Sequence, residues 1–180
     1  MRHLTTSDYR KMPWANGLGV TTEILRVAKP DGGVLWRLSM AAVVEVGAFS
    51  LFPGIERNLT VIAGPGFDLV GPGLMLRADP LVPVAFPGDV AISAVGVSAP
   101  SNDFNVMTER SLPRPEVRVL RQSEALAPGG TLCLFALDAG KVQVAGTVVT
   151  VARHDLLVCD AGVGARNTGA AAVLATRLIL

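Results

Sequence analysis

Apolar and polar residues alternate in short runs along nearly the whole chain, and glycine, proline or asparagine breaks the runs about every eight to ten residues. This is the rhythm of a β-meander. No stretch keeps a helical period beyond one or two turns. The clearest run goes from Trp36 to Gly64, where two strand-like segments flank a turn built from Phe52, Pro53 and Gly54. A period of two puts Arg37 and Ser39 on one face of the first segment and Trp36, Leu38 and Met40 on the other. Glu56 and Arg57 follow the turn, and then an apolar run from Leu59 to Ala63. Charged groups this close to so much apolar surface are either solvated at a strand end or lining a pocket.

The same reading extends in both directions. Residues 1–13 are expected to be an edge strand or lead-in, with Pro13 favouring extended backbone at Met12. Asn16-Gly17 and Gly19 mark a turn, and Thr21 to Val27 a strand. Asp31-Gly32-Gly33 is a hairpin signal. Strands are predicted over Phe67–Val70, Leu74–Arg77, Val90–Val97 and from Asp103 through Met107, with Asp103, Asn105 and Met107 on one face. Pro113-Arg114-Pro115 is the best internal boundary, giving units 1–112 and 113–180. Beyond it, Glu116–Arg121, Thr131–Leu137, Val142–Ala145, Thr147–Ala152, Leu156–Cys159 and Ala172–Leu180 read as strands, and Glu124–Ala127 as a helical turn. A turn aspartate entering an apolar strand occurs at Asp89 and again at Asp155, a weak echo between the halves. Together these features predict an all-β chain, with a duplicated barrel suggested by the echo.

Composition narrows the function classes. Half of the residues are hydrophobic and only 17% are charged, with 19 glycines and 12 prolines, which suits turn-rich β structure. A formal net charge of +1 gives no basic stripe for nucleic acid and no polybasic membrane anchor. The polar N-terminus has no signal-peptide core, and no apolar run is long enough to span a bilayer, so a cytoplasmic protein is expected. Cys133 and Cys159 each sit in an apolar run, as buried reduced thiols do. Oligomeric state, a homodimer included, is left open.

One set of residues carries a family resemblance. Trp14, Asn16-Gly17, Gly19, Thr21 and Glu23-Ile24 come first, then Trp36 to Ser39 with Ala41. Phe49 to Gly54 with Arg57, and Asp103 to Met107, follow in order. This series resembles the HutD/Ves family, over about the first 110 residues; the second half agrees in length and strand rhythm. That family is similar to cupins, and the resemblance implies a cupin-like double β-barrel (bicupin) in one chain. It also implies an association with bacterial histidine utilisation and a regulatory or small-molecule-binding role. A pathway acid such as formylglutamate or urocanate is the implied ligand.

The chemistry available to such a barrel is restricted. Cupin enzymes commonly hold a metal through clustered histidines, whereas this chain has two, His3 and His154, far apart. No metal and no cofactor are therefore expected, and His154 reads as a surface turn residue. No Gly-x-Ser-x-Gly is present and neither cysteine has a histidine near it in sequence, so nucleophilic catalysis has no support. Binding residues are better represented. Arg37 and Arg57 offer guanidinium forks for a carboxylate. Asn16, Thr21, Ser39 and Asn105 offer neutral hydrogen bonds, and Phe49, Trp36 and Met107 apolar walls. The competing expectation is that each arginine pairs with Glu23, Glu56 or Asp103 and only pins strands together. Two other functions stay open: a metal-free cupin-type isomerase or lyase acting on a small acid or sugar, and a protein-interaction module.

Overall fold

The computed structural model describes residues 1–14 and 19–179. It is built almost wholly from antiparallel strands, with one short 3-10 turn at Thr6–Asp8. The chain divides into two compact units, residues 10–111 and residues 1–9 with 112–180. The first nine residues were expected with the segment up to 112. They lie instead in the other unit, because Arg2–Leu4 pairs antiparallel with Leu156–Val158.

The unit of residues 10–111 has a six-stranded and a four-stranded sheet. The larger runs in the order Arg10–Pro13, Val20–Ala28, Val34–Val43, Ser101–Glu109, Ile55–Ala63, Val84–Pro87. The smaller runs Gly47–Ala48, Ser93–Val95, Phe67–Gly71, Leu74–Ala78. Inward residues of the two sheets meet in one apolar cluster that includes Leu59, Val61, Phe67, Leu69, Ala78, Phe86, Ile92 and Ala94. Burying such side chains is worth about 1.5–3 kcal/mol each, the main term holding the sheets together. Hairpins follow the turn chemistry in the sequence. Gly54 takes φ +73° in the Pro53-Gly54 turn, a conformation glycine adopts without steric cost. Gly64 does so at +95°, and there a Cβ would sit 2.4 Å from the Pro100 carbonyl oxygen.

The other unit repeats the two-sheet plan. Arg2–Leu4, Leu156–Cys159, Thr131–Ala136, Val173–Leu178 and Glu116–Leu120 form one sheet, and Ala125–Leu126, Ala165–Asn167, Gly140–Val144 and Thr147–Val151 the other. Its core gathers Leu120, Leu132, Leu134, Val142, Val151, Leu157, Val173 and Ala175. In neither unit do the strand ladders among the described residues join the two sheets into a closed barrel. All-β architecture is therefore observed, without the closed double barrel.

Several expectations are corrected locally. Glu124–Ala127 is not helical: Ala125–Leu126 pairs with Ala165–Arg166, because the edge of that sheet offers backbone partners that a lone helical turn lacks. The strand expected over Val90–Val97 shortens to Ser93–Val95. His154 is half-buried rather than a surface residue; its ring stacks on Phe135 at 5.4 Å and its backbone has φ +69°. Cys133 and Cys159 are buried free thiols. Cys133 is opposite Val158 and Cys159 opposite Leu132, so the two side chains leave opposite faces of the sheet.

Candidate functional site

The inner face of the six-stranded sheet changes character along its length. At one end Leu59 and Val61 enter the apolar core. At the other, arginine, serine and asparagine replace them around a cavity of about 530 Å³ within residues 14–107. The register explains the convergence. On the central Ser101–Glu109 strand, Asn105 faces Ser39 on one neighbour and Leu59 on the other, and Met107 faces Arg37 and Arg57 in the same way. Arg37 and Arg57 thus share one face on either side of Met107, two strand spacings or about 10 Å apart at the backbone. The segment between Val43 and Ile55 adds Phe49, Ser50 and Phe52 to the wall.

Of the residues singled out from the sequence, Thr21, Arg37, Ser39, Phe49, Arg57, Asn105 and Met107 all line this cavity. Asn16 lies outside the described residues. Trp36 does not line the cavity; it projects from the opposite face of its strand and is buried at 4% exposure. Trp14 does line it, and its indole Nε1 donates to Thr21 Oγ1 at 2.8 Å. A bulge at Ile24 shifts the pairing between the strands carrying Thr21 and Arg37. Before that bulge Thr21 faces Ala41 and Glu23 faces Ser39, which puts both on the cavity side.

The two arginines differ in their surroundings. Arg37 Nε is 2.9 Å from Glu23 Oε2, an ion pair in which the N–H itself is not aimed at an acceptor. Arg57 is 5% exposed and has no such ion pair among the described residues. Its guanidinium carbon lies 5.1 Å from the ring centre of Phe49, 5.5 Å from Phe52 and 5.0 Å from Phe86. Those rings favour the cation and cover its surroundings, which leaves hydrogen bonding to the guanidinium edge. Arg57 Nη2 donates to Asn105 Oδ1 at 2.8 Å, and Nη1 reaches the Ser50 carbonyl only at 3.5 Å. Glu56, a candidate partner by adjacency, is on the other face of the strand and takes Arg110 at 2.7 Å.

Behind Asn105 is Asp103, with no exposed surface. Asn105 Nδ2 donates to Asp103 Oδ1, so a line of hydrogen bonds runs from the buried carboxylate through the amide to Arg57. Asp103 Oδ2 has no partner among the described residues. Burial pushes the Asp103 carboxyl up to about 7, although Arg57 and the Asn105 hydrogen bond pull the other way. Burial likewise lowers Arg57 to about 10, with Asp103 opposing and Arg37 adding to the shift, so Arg57 stays cationic at neutral pH. Raised in this way by burial, Asp103 balances the Arg57 charge less completely than an ordinary aspartate would. The arrangement can therefore hold an anion at the Arg57 edge with neutral donors beside it.

It is less suited to proton transfer with a ligand. Glu23 faces Arg37, Glu56 faces away, and Asp103 is sealed behind Asn105 rather than on the wall. Among the described residues no three His, Cys, Asp or Glu side chains come together to hold a metal ion. The sequence pattern reached the arginines, Asn105 and Phe49, but not the other two rings around Arg57. Phe52 and Phe86 stand in turn-like stretches, and only the fold brings them together.

The chain is similar in sequence and fold to several known proteins. An uncharacterised 21.2 kDa protein of Pseudomonas putida, encoded in the region 3′ of hutC, is 35% identical over 152 residues, which are 81% of this chain and 79% of that protein. Protein Ves of Citrobacter koseri is 37% identical over 117 residues, 62% of this chain and 61% of its own. The structure of HutD from Pseudomonas fluorescens SBW25 superposes with a TM-score of 0.83 at 29% identity, covering 99% of both chains. A cupin 2 conserved barrel protein from Leptotrichia buccalis, at 13% identity and a TM-score of 0.57 over 89% of each chain, shares the fold alone. The HutD family model matches residues 6–175, so with the cupin-like sheets and these relatives the chain belongs to the HutD family.

Proposed function

We propose that the unit of residues 10–111 binds a small carboxylate metabolite and that the protein acts as a sensor or flux governor in histidine utilisation. The observation that carries this reading is Arg57: a buried cation ringed by Phe49, Phe52 and Phe86, with an incompletely held edge and, behind it, a carboxyl whose pKa burial has raised. A carboxylate docked on that edge supplies the missing charge in the plane the rings leave free. Ser39, Thr21 and Asn105 then contact the rest of the ligand. The pathway assignment is supported by the P. putida relative, encoded beside hutC, and by the P. fluorescens HutD, whose structure was determined in a formate condition. The same reading treats each two-sheet unit as one half of a duplicated cupin-like pair acting in the cytoplasm.

Thermal-shift screening with N-formyl-L-glutamate, urocanate and formate tests this on wild type and Arg57→Ala. At a ligand concentration of a hundred times Kd, binding adds about 2.7 kcal/mol, or roughly 5–10 °C for a chain of this size. Wild type shows that shift with at least one acid and Arg57→Ala does not. No stabilisation by any of the acids, or equal stabilisation of the variant, refutes the reading.

A further inference from the structure

The line from Asp103 to Arg57 has a polarity. A carboxylate can only accept, so an ionised Asp103 obliges Asn105 to turn its amide nitrogen inward and its oxygen toward Arg57. Asp103 thereby sets which group Arg57 meets. The Oδ2 of Asp103 is buried with no hydrogen-bond partner among the described residues, so a proton there displaces no bond these residues make. Nothing on the adjoining strands competes for it, since Asp103 faces Ala41 on one side and Val61 on the other. Among the described residues Arg57 is the one charge that acts on Asp103, and Arg37 acts in turn on Arg57 while facing Glu23.

We propose that Asp103 is a positioning residue for Arg57 that takes up a proton when an anion docks on that guanidinium, so that the cavity binds a carboxylate together with one proton. This rests on the carboxylate reading above. Ionised Asp103 and a bound carboxylate compete for a single positive charge in a site screened from water, where like charges repel strongly. Burial already holds Asp103 near neutrality, and the pull of Arg57 is what keeps it from rising further. An incoming anion that engages Arg57 weakens that pull. The step balances as one proton from solvent onto Asp103 Oδ2 and one anion onto Arg57, with no covalent bond changed. The binding-competent form is then the protonated one, and affinity scales with its fraction. Above pH 7 the Kd for an acid that is fully ionised rises about tenfold per pH unit.

Isothermal titration of N-formyl-L-glutamate at pH 7, 8 and 9, each in HEPES and in Tris, reads both quantities. Wild type shows the rise in Kd, and a buffer-dependent heat that corresponds to about one proton taken up at pH 8 and above. Asp103→Asn, which keeps an acceptor for Asn105 but cannot ionise, binds with no proton uptake and a flat pH profile. A carboxyl-carbon NMR titration of the wild type needs no variant: the Asp103 inflection moves upward when the probe is added. Binding without proton uptake, or an unchanged slope in Asp103→Asn, overturns the linkage and leaves the carboxylate reading standing. Absence of binding at any pH by this probe and by the other acids overturns both.

Discussion

Replacing Asp103 by asparagine in the ligand-free protein gives a stability difference whose sign and size follow from the buried carboxyl. Its folded-state value is about 7 against 3.8 for an ordinary aspartate, so the folded form holds the proton more tightly than the unfolded form. The contribution of Asp103 to stability is then greatest below 3.8, falls as pH rises toward 7, and levels off above it. At about 1.36 kcal/mol per pH unit the full loss is on the order of 4 kcal/mol, of which roughly 2–3 kcal/mol develops between pH 5 and pH 8. The amide introduced by Asp103→Asn stays neutral throughout and still accepts from Asn105. His154, whose burial lowers its pKa, titrates in both proteins and cancels in the comparison. Urea unfolding from pH 5 to 9 is the assay: Asp103→Asn gains on wild type as pH rises and the gap stops growing above about pH 8. Parallel curves refute the argument. A gap that opens in the other direction means that ionised Asp103 stabilises Arg57 by more than its own burial costs.

Other substitutions probe the frame around the site. Gly64→Ala meets both a positive φ and the Pro100 carbonyl at 2.4 Å, and is expected to cost more than about 2 kcal/mol in urea unfolding. Asp155 Oδ2 accepts from His3 Nε2 at 2.7 Å and from the Ala152 amide at 2.9 Å, so Asp155→Ala loses about 1–3 kcal/mol, and hydrogen exchange accelerates at residues 2–4. Cys133, its thiol pushed up to about 12 by burial, and Cys159, also raised, leave from opposite faces. Native protein therefore reacts with thiol reagents only on unfolding, and reductant leaves its melting temperature unchanged.

Which residues share a face was legible in the chain alone, because side-chain direction in a strand has a period of two and the Pro53-Gly54 turn has its own signal. That was enough to put Arg37 with Ser39, and Asp103 with Asn105 and Met107. It was also enough to exclude a histidine metal cluster of the cupin-enzyme kind by count. A period of two, however, does not name a partner strand. The pairing of Arg2–Leu4 with Leu156–Val158 joins residues more than 150 positions apart, and no local pattern encodes it. The bulge at Ile24, which brings Glu23 toward Arg37, is one extra residue in one strand and leaves the hydrophobic pattern nearly unchanged. The charge state of the site was likewise set by packing. Asp103 reads as an ordinary strand aspartate in the chain. Its complete burial behind Asn105, and the three rings closing on Arg57, exist only when six strands and a loop have met. Desolvation depends on everything that excludes water from a group, and that is a property of the packed molecule.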